Sequence, residues 1–156
     1  TLGSTHMLGL LELLDRTDYA FILETNGIML GHEPGYAGRL SEFGRVHVRV
    51  SLKGTNPQEF SRLTGAAPQG FELQLNALRN LTNAGVPCHA AVMLSFSSEQ
   101  GFEELLERLR DIHHGLAENA EKEYVFLYPG VVGRLRAAGV EPTVAYEPSR
   151  IPKSLV

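Results

Sequence analysis

Arg49, Ser51 and Lys53 sit on one short stretch and are of types that hold a charged small molecule, with Glu24, Thr25 and His89 as polar residues in two neighbouring apolar stretches. The central stretch is Val46–Gly54, VHVRVSLKG, in which Val46, Val48, Val50 and Leu52 alternate with His47, Arg49, Ser51 and Lys53. A two-residue period belongs to a strand with one dry and one wet face. Its surroundings read as βα units, whose parallel strands are usually covered on both faces. A polar row inside such a sheet points to a site, because cations taken from water need partners or a ligand. Lys53 and Gly54 fall at the strand's C-terminal end, where βα folds carry their chemistry. An ammonium there suits a carboxylate or a phosphate. Each residue also has a plainer reading. Glu24 can accept backbone N–H groups at a strand end, and Lys53 can extend to solvent. Arg49 can pair with Glu24 on the neighbouring strand, and His89 can be a hydrogen-bonded interior histidine. No catalytic residue is identified by type and spacing.

These residues need elements to position them. Ser4–Leu14, with Met7, Leu8, Leu10, Leu11 and Leu14, reads as a short apolar helix capped by Ser4 or Thr5. The first strand is expected at 19–25, closed by the turn Thr25-Asn26-Gly27. Ile28–Gly38 reads as loop, with a short helix around Tyr36–Phe43, before the second strand at 46–52. Asn56-Pro57-Gln58-Glu59 starts a helix, with asparagine as cap and proline first, and Gly65 ends it. A longer helix from Pro68 to Gly85 carries Phe71, Leu75, Leu78 and Leu81 on one face.

The third strand is expected at 87–94. Ser97 and Gln100 then suit a capping box, for a helix with the stripe Phe102, Leu105, Leu106, Leu109 and Ile112 that stops at Gly115. His113 and His114 complement the negative end of that helix. Adjacent helical residues point apart, so the two do not share a metal. Glu118–Glu123 reads as a solvated charged segment, 124–128 as the fourth strand and Val131–Ala138 as a short helix. The tail at 141–156, with Pro142, Pro148 and Pro152, is expected to be extended.

Alternation of this kind predicts an α/β fold of parallel strands, with helices on one face. The fold class is a section of a (βα) barrel, about four units over residues 1–140, followed by the tail. A chain of 156 residues suits one domain with a real core. A net charge of −4 gives no general reason to expect a nucleic-acid partner. No apolar run approaches the roughly 20 residues of a membrane span, and no secretory signal is visible. Cys88 is the single cysteine, which excludes an internal disulfide or a cysteine metal cluster and fits a cytoplasmic location.

Leu23-Glu24-Thr25-Asn26-Gly27, with Arg49-Val50-Ser51-Leu52-Lys53-Gly54 further along the chain, resembles the radical S-adenosylmethionine (radical SAM) superfamily. The nearest branch is that of the pyruvate formate-lyase type, glycyl-radical activating enzymes. Lys53-Gly54-Thr55-Asn56-Pro57 through Phe60, Leu63, Thr64 and Gly65 carries the likeness further. Thr1-Leu2-Gly3 resembles the segment directly after the family's Gly-Gly-Glu-Pro motif, so residues 1–140 correspond to strands three to six of a (βα)6 partial barrel. The resemblance implies the C-terminal part of an enzyme that reductively cleaves S-adenosylmethionine at a [4Fe–4S] cluster to start radical chemistry. Glycyl-radical enzyme activation is the branch's version of it. The family's CxxxCxxC loop and Gly-Gly-Glu-Pro motif are both absent, and one thiol cannot hold a cluster. The chain as given is therefore expected to be inactive alone, with neither cofactor bound.

By position, the resemblance puts Glu24 and Thr25 near the methionine end of the cofactor and Lys53 on its carboxylate. Ser51 stands where activating enzymes often carry aspartate, and Arg49 and His89 complete the expected cofactor-binding set. Tyr128-Pro129 falls where adenine contacts are common. The expected partners are S-adenosylmethionine, a protein substrate, and a second copy paired through the apolar edge Tyr19–Glu24. Two alternatives stand beside this reading. One is a barrel lyase with Lys53 as Schiff-base nucleophile, which borohydride trapping would reveal. The other is a non-catalytic binding module.

Overall fold

A computed structural model describes residues 4–152 of the chain. The expected lead-in at Thr1–Gly3, the capping side chains of Ser4 and Thr5, and the last tail residues lie outside the described residues. The elements are α1 (Ser4–Leu14), β1 (Phe21–Thr25), α2 (Ile28–His32), α3 (Pro34–Leu40), β2 (Val46–Leu52), α4 (Pro57–Thr64) and α5 (Gly70–Asn83). After these come β3 (Cys88–Met93), α6 (Glu99–Ile112), α7 (His114–Glu118), β4 (Glu121–Glu123), β5 (Val125–Phe126), α8 (Pro129–Ala138) and β6 (Ala145–Tyr146).

Strands β1 to β4 form one parallel sheet in chain order, with Phe21 opposite Val46, Val48 opposite Cys88 and Ala91 opposite Glu121. Strand order never reverses, so the sheet winds as a barrel does and has no switch point of the doubly wound kind. The expected α/β fold, a section of a (βα) barrel, is what the chain adopts. Val46, Val48, Val50, Leu52, Ala90 and Val92 are buried in one core. Phe71, Leu75, Leu78 and Leu81 of α5 and Phe102, Leu105 and Leu109 of α6 join them there. Truncating one of these leucines to alanine costs about 2–5 kcal/mol in cores of this kind. No helix among the described residues is long and apolar enough to cross a membrane.

Several local expectations are corrected. The stretch expected as loop after Gly27 is largely helical, as α2 and α3. Gly31 hides the first of these, since glycine is a poor helix former. Here it lets α2 approach α5 so closely that any Cβ would overlap the Leu73 carbonyl, and the Asn80 amide donates to Leu30 O at 2.8 Å. The fourth strand of the sheet is Glu121–Glu123, within the segment expected to be solvated. Of residues 124–128, only Val125–Phe126 is strand, and it pairs with Ala145–Tyr146 in a separate two-stranded sheet.

The tail is therefore not uniformly irregular. The fully buried Ser95 ties it down: its carbonyl accepts from Thr143 N at 2.6 Å and its Oγ from Val125 N at 2.8 Å. The cap of α6 is Ser98, accepting from Gly101 N at 3.0 Å, which frees Ser97 for another partner. Gly115 lies inside α7, whose cap is His113: its Nδ1 accepts from Gly115 N at 3.1 Å.

Candidate functional site

The period of β2 sends Val46, Val48, Val50 and Leu52 into the core and turns His47, Arg49, Ser51 and Lys53, half-buried, to the opposite face. Parallel register sets Glu24, Arg49 and His89 side by side across three strands. Two residues further along β3 and β4, Ala91 faces Glu121 and Met93 faces Glu123. Glu24, Arg49, Ser51, Lys53 and His89 thus share one face. Thr25 does not: it pairs with Val50, on the other parity of the strand, and its hydroxyl accepts from Gly27 N at 3.1 Å in the turn after β1.

Arg49 is the hub of this face. Its Nε donates to Glu121 Oε2 at 2.8 Å and its Nη2 to Glu121 Oε1 at 2.8 Å, a two-pronged grip that suits the planar guanidinium. Nη2 also donates to Glu123 Oε1 at 2.7 Å, and Nη1 stands 3.5 Å from Ser51 Oγ. The anticipated pairing with Glu24 is the weakest of these contacts, at 3.9 Å to a carboxylate that is 68% exposed. The Arg49 hydrogen bonds, with a further one from His89, pull the Glu121 carboxyl down to about 2. The bonds to Glu121, outweighing desolvation, raise the arginine above its ordinary value.

Because Glu121 is ionised and accepts, the His89 Nε2 that stands 3.0 Å from its Oε2 carries the proton. On its other side His89 Nδ1 stands 2.7 Å from His47 Nε2. Burial, and then the proximity of His89, hold His47 below the ordinary histidine value. A continuous chain of polar contacts therefore runs His47–His89–Glu121–Arg49–Glu123–Lys53, up the open face toward the C-terminal strand ends. Lys53 closes it loosely, 3.4 Å from Glu123 Oε2.

The rim behind Lys53 is fixed by Glu59. Its Oε2 accepts from Thr55 N at 2.8 Å, Thr55 Oγ1 at 3.1 Å and Ser97 Oγ at 2.6 Å, joining the loop after β2 to the loop after β3. Asn56 caps α4 as expected, accepting from Glu59 N at 2.9 Å. Gly54 has φ +97°, and a Cβ on it would lie 2.6 Å from Glu59 Cβ, so only glycine fits this turn.

His47, Glu59, Glu121 and Glu123 carry roles that the sequence did not assign to them. The alternation Glu121-Lys122-Glu123 was the available signal for the last two: it puts both carboxylates on one face and sends Lys122 over the Phe102 ring, 5.0 Å away. Cys88 pairs with Val48 on the other parity of the strand, and burial pushes its thiol up. Among the described residues no group of three or more histidine, cysteine or acidic side chains is placed to hold a metal ion. The family model described as Radical SAM superfamily matches residues 2–109 of the chain. No curated protein matches it.

Proposed function

The chain belongs to the radical SAM superfamily, and on that premise we propose that its open sheet face contributes the methionine-end contacts for S-adenosylmethionine in a radical SAM enzyme. The observation that carries this reading is the state of Lys53. It stands at the strand end with one carboxylate partner at 3.4 Å, whereas Arg49 is held by short bonds on two sides. An ammonium has three donors, so Lys53 retains capacity for a ligand carboxylate. The charge of the face agrees with the ligand. Glu24, Glu121 and Glu123 set three carboxylates against Arg49 and Lys53. S-adenosylmethionine brings two positive groups, sulfonium and ammonium, against one carboxylate.

The residues present do not fit the [4Fe–4S] cluster, because Cys88 is the only thiol and lies on the core side of β3. In this reading the cluster ligands come from a longer cytoplasmic protein of which this chain is the later part of the barrel, with residues 141–156 as its tail. That parent belongs to the activating-enzyme-like branch and acts on a protein substrate. The support for the branch is the sequence likeness from Lys53 to Gly65.

S-adenosylmethionine titrated into 15N-labelled chain is expected to shift the amides of Glu24, Ser51 and Lys53 in a saturable way, and Lys53→Gln to weaken that binding several-fold. Iron and sulfide added anaerobically should leave the protein colourless. Shifts confined to other residues, or binding indifferent to Lys53→Gln, would remove the site reading. A stable brown protein would remove the reading that the cluster ligands come from elsewhere in a longer protein.

A further inference from the structure

The ladder between β1 and β2 stops one rung early. Phe21 N donates to Arg45 O at 2.9 Å, and the register runs on to Thr25 opposite Val50. Parallel bonds are evenly spaced, so at the same offset Gly27 N would donate to Ser51 O. Instead, Gly27 N is taken by the Thr25 hydroxyl at 3.1 Å, and the glycine turns in at φ +78°. A Cβ there would lie 2.9 Å from Val50 Cγ1 and 3.1 Å from Ala77 Cβ, so the turn is tucked between β2 and α5. The Ser51 carbonyl is left without its rung.

A side chain from α5 supplies the missing donor. Gln74 is fully buried, and its Nε2 donates to Ser51 O and to Asn26 O, both at 2.8 Å. Both partners are acceptors, which fixes the amide with its nitrogen toward the strands. Two carbonyls cannot bond each other, and one nitrogen with two hydrogens bridges them. The arrangement is not free of strain on stability. The amide's Oε1 is closed to solvent and has no donor, and an unpaired buried acceptor is destabilising and calls for a specific explanation. A closed rung would satisfy Ser51 O from the backbone and need no buried amide, so stability alone does not account for Gln74.

We propose that Gln74 is a positioning residue for the ligand of the open face: in place of the missing rung it holds the ends of β1 and β2 apart, and so sets the spacing of Glu24 and Lys53. This rests on the reading of that face as the contact for the methionine end of S-adenosylmethionine. The methionine end carries its ammonium and its carboxylate on one carbon, and Glu24 and Lys53, on two strands, are the anion and the cation to meet them. Asn26 O lies two residues past Glu24, and Ser51 O two residues before Lys53, so the amide grips both strands next to these side chains. Gln74 is enclosed in the core and acts on the ligand only through the backbone it holds. Without its two donors, Gly27 N can close the rung on Ser51 O, which draws the strand ends together and moves Glu24 relative to Lys53.

S-adenosylmethionine titrated into 15N-labelled chain reads the placement. Gln74→Met keeps the length and packing of the side chain and removes both donors; it should weaken binding several-fold while the spectrum stays that of a folded chain. A cycle with Lys53→Gln separates positioning from a general loosening of the fold. If Gln74 acts by placing Lys53, Gln74→Met should weaken binding when Lys53 is present and add little to Lys53→Gln. If Gln74→Met fails to fold, Thr25→Val tests the same point from the other side. It removes the hydroxyl that holds Gly27 N, lets the rung compete with the amide, and should weaken binding in the same Lys53-dependent way. Unchanged affinity in the variant that folds, or an equal loss with and without Lys53, overturns this proposal and leaves the open-face reading standing. Absence of binding by the wild type overturns the open-face reading and this proposal with it.

Discussion

Arg49→Ala tests the polar face most directly. Arg49 has a side chain only 14% exposed and contributes two short bonds to Glu121 and one to Glu123. Its removal leaves those two carboxylates, two residues apart on one face, without their main cation. Breaking a fully buried pair by deleting one partner costs about 3–5 kcal/mol. Glu121 is 46% exposed and Glu123 21%, so solvent screens part of the loss, and about 2 kcal/mol is expected. Arg49→Lys keeps the charge but not the fork and should cost about half as much. The sign of the pH dependence comes from Glu121, whose folded value is held near 2, below its ordinary 4.5. A depressed acid contributes stability above its unfolded value and loses it as pH falls through the folded one. The gap between wild type and Arg49→Ala in urea unfolding should therefore be full at pH 7 and shrink progressively between about pH 4.5 and pH 2. A gap under about 0.5 kcal/mol, the range of ordinary surface substitutions, would refute the reasoning. So would a gap that stayed constant with pH.

Three further outcomes are expected. His47 is held below its ordinary value, so the unfolded chain binds its proton more readily; wild-type stability should rise with pH in the interval just below 6.5, and His47→Gln should flatten that rise in urea titrations. Gly54→Ala must place a Cβ against Glu59 at φ +97°, and should cost about 2 kcal/mol or more; hydrogen exchange at Thr55 N should quicken with it, and unchanged protection would mean that the turn adapts. β1 ends the sheet with Tyr19 and Ile22 exposed beside it. Light scattering over a dilution series should show the chain pairing through this edge and Ile22→Lys weakening the association; a wild-type monomer at high concentration would exclude it.

The first three strands and the helices α4, α5 and α6 were legible because core-facing residues keep a strict period: two in β2, and the three-to-four spacing of Phe71, Leu75, Leu78 and Leu81 in α5. Failures cluster where tertiary contact overrides a local signal. Gly31 reads as a helix breaker until α5 presses against it. Glu121 and Glu123 read as solvated until Arg49, distant in sequence, supplies their counter-charge and makes a strand of them. Residues 124–128 are apolar enough for a central strand, yet they pair with the tail at Ala145–Tyr146, because β4 already occupies the sheet position. The polar row was half legible for the same reason. Alternation assigned Arg49, Ser51 and Lys53 to one face, but nothing local to them identified which carboxylates they would meet.

Arg49 and Lys53, two cations on one strand, consequently have different work. Arg49 commits its donors within the protein and shapes the face by fixing β4 against β2 and β3. Lys53, two turns of the pleat further along on the same parity, reaches the rim with one long contact. A shift of one residue in β2 would turn both into the core with the valines, so the register set by Val46–Leu52 is what places a fixed cation in the middle of the sheet and an available one at its end. An anionic ligand on this face therefore competes with a single carboxylate, Glu123, which is itself held by Arg49 at 2.7 Å and can release Lys53 without being left unpaired.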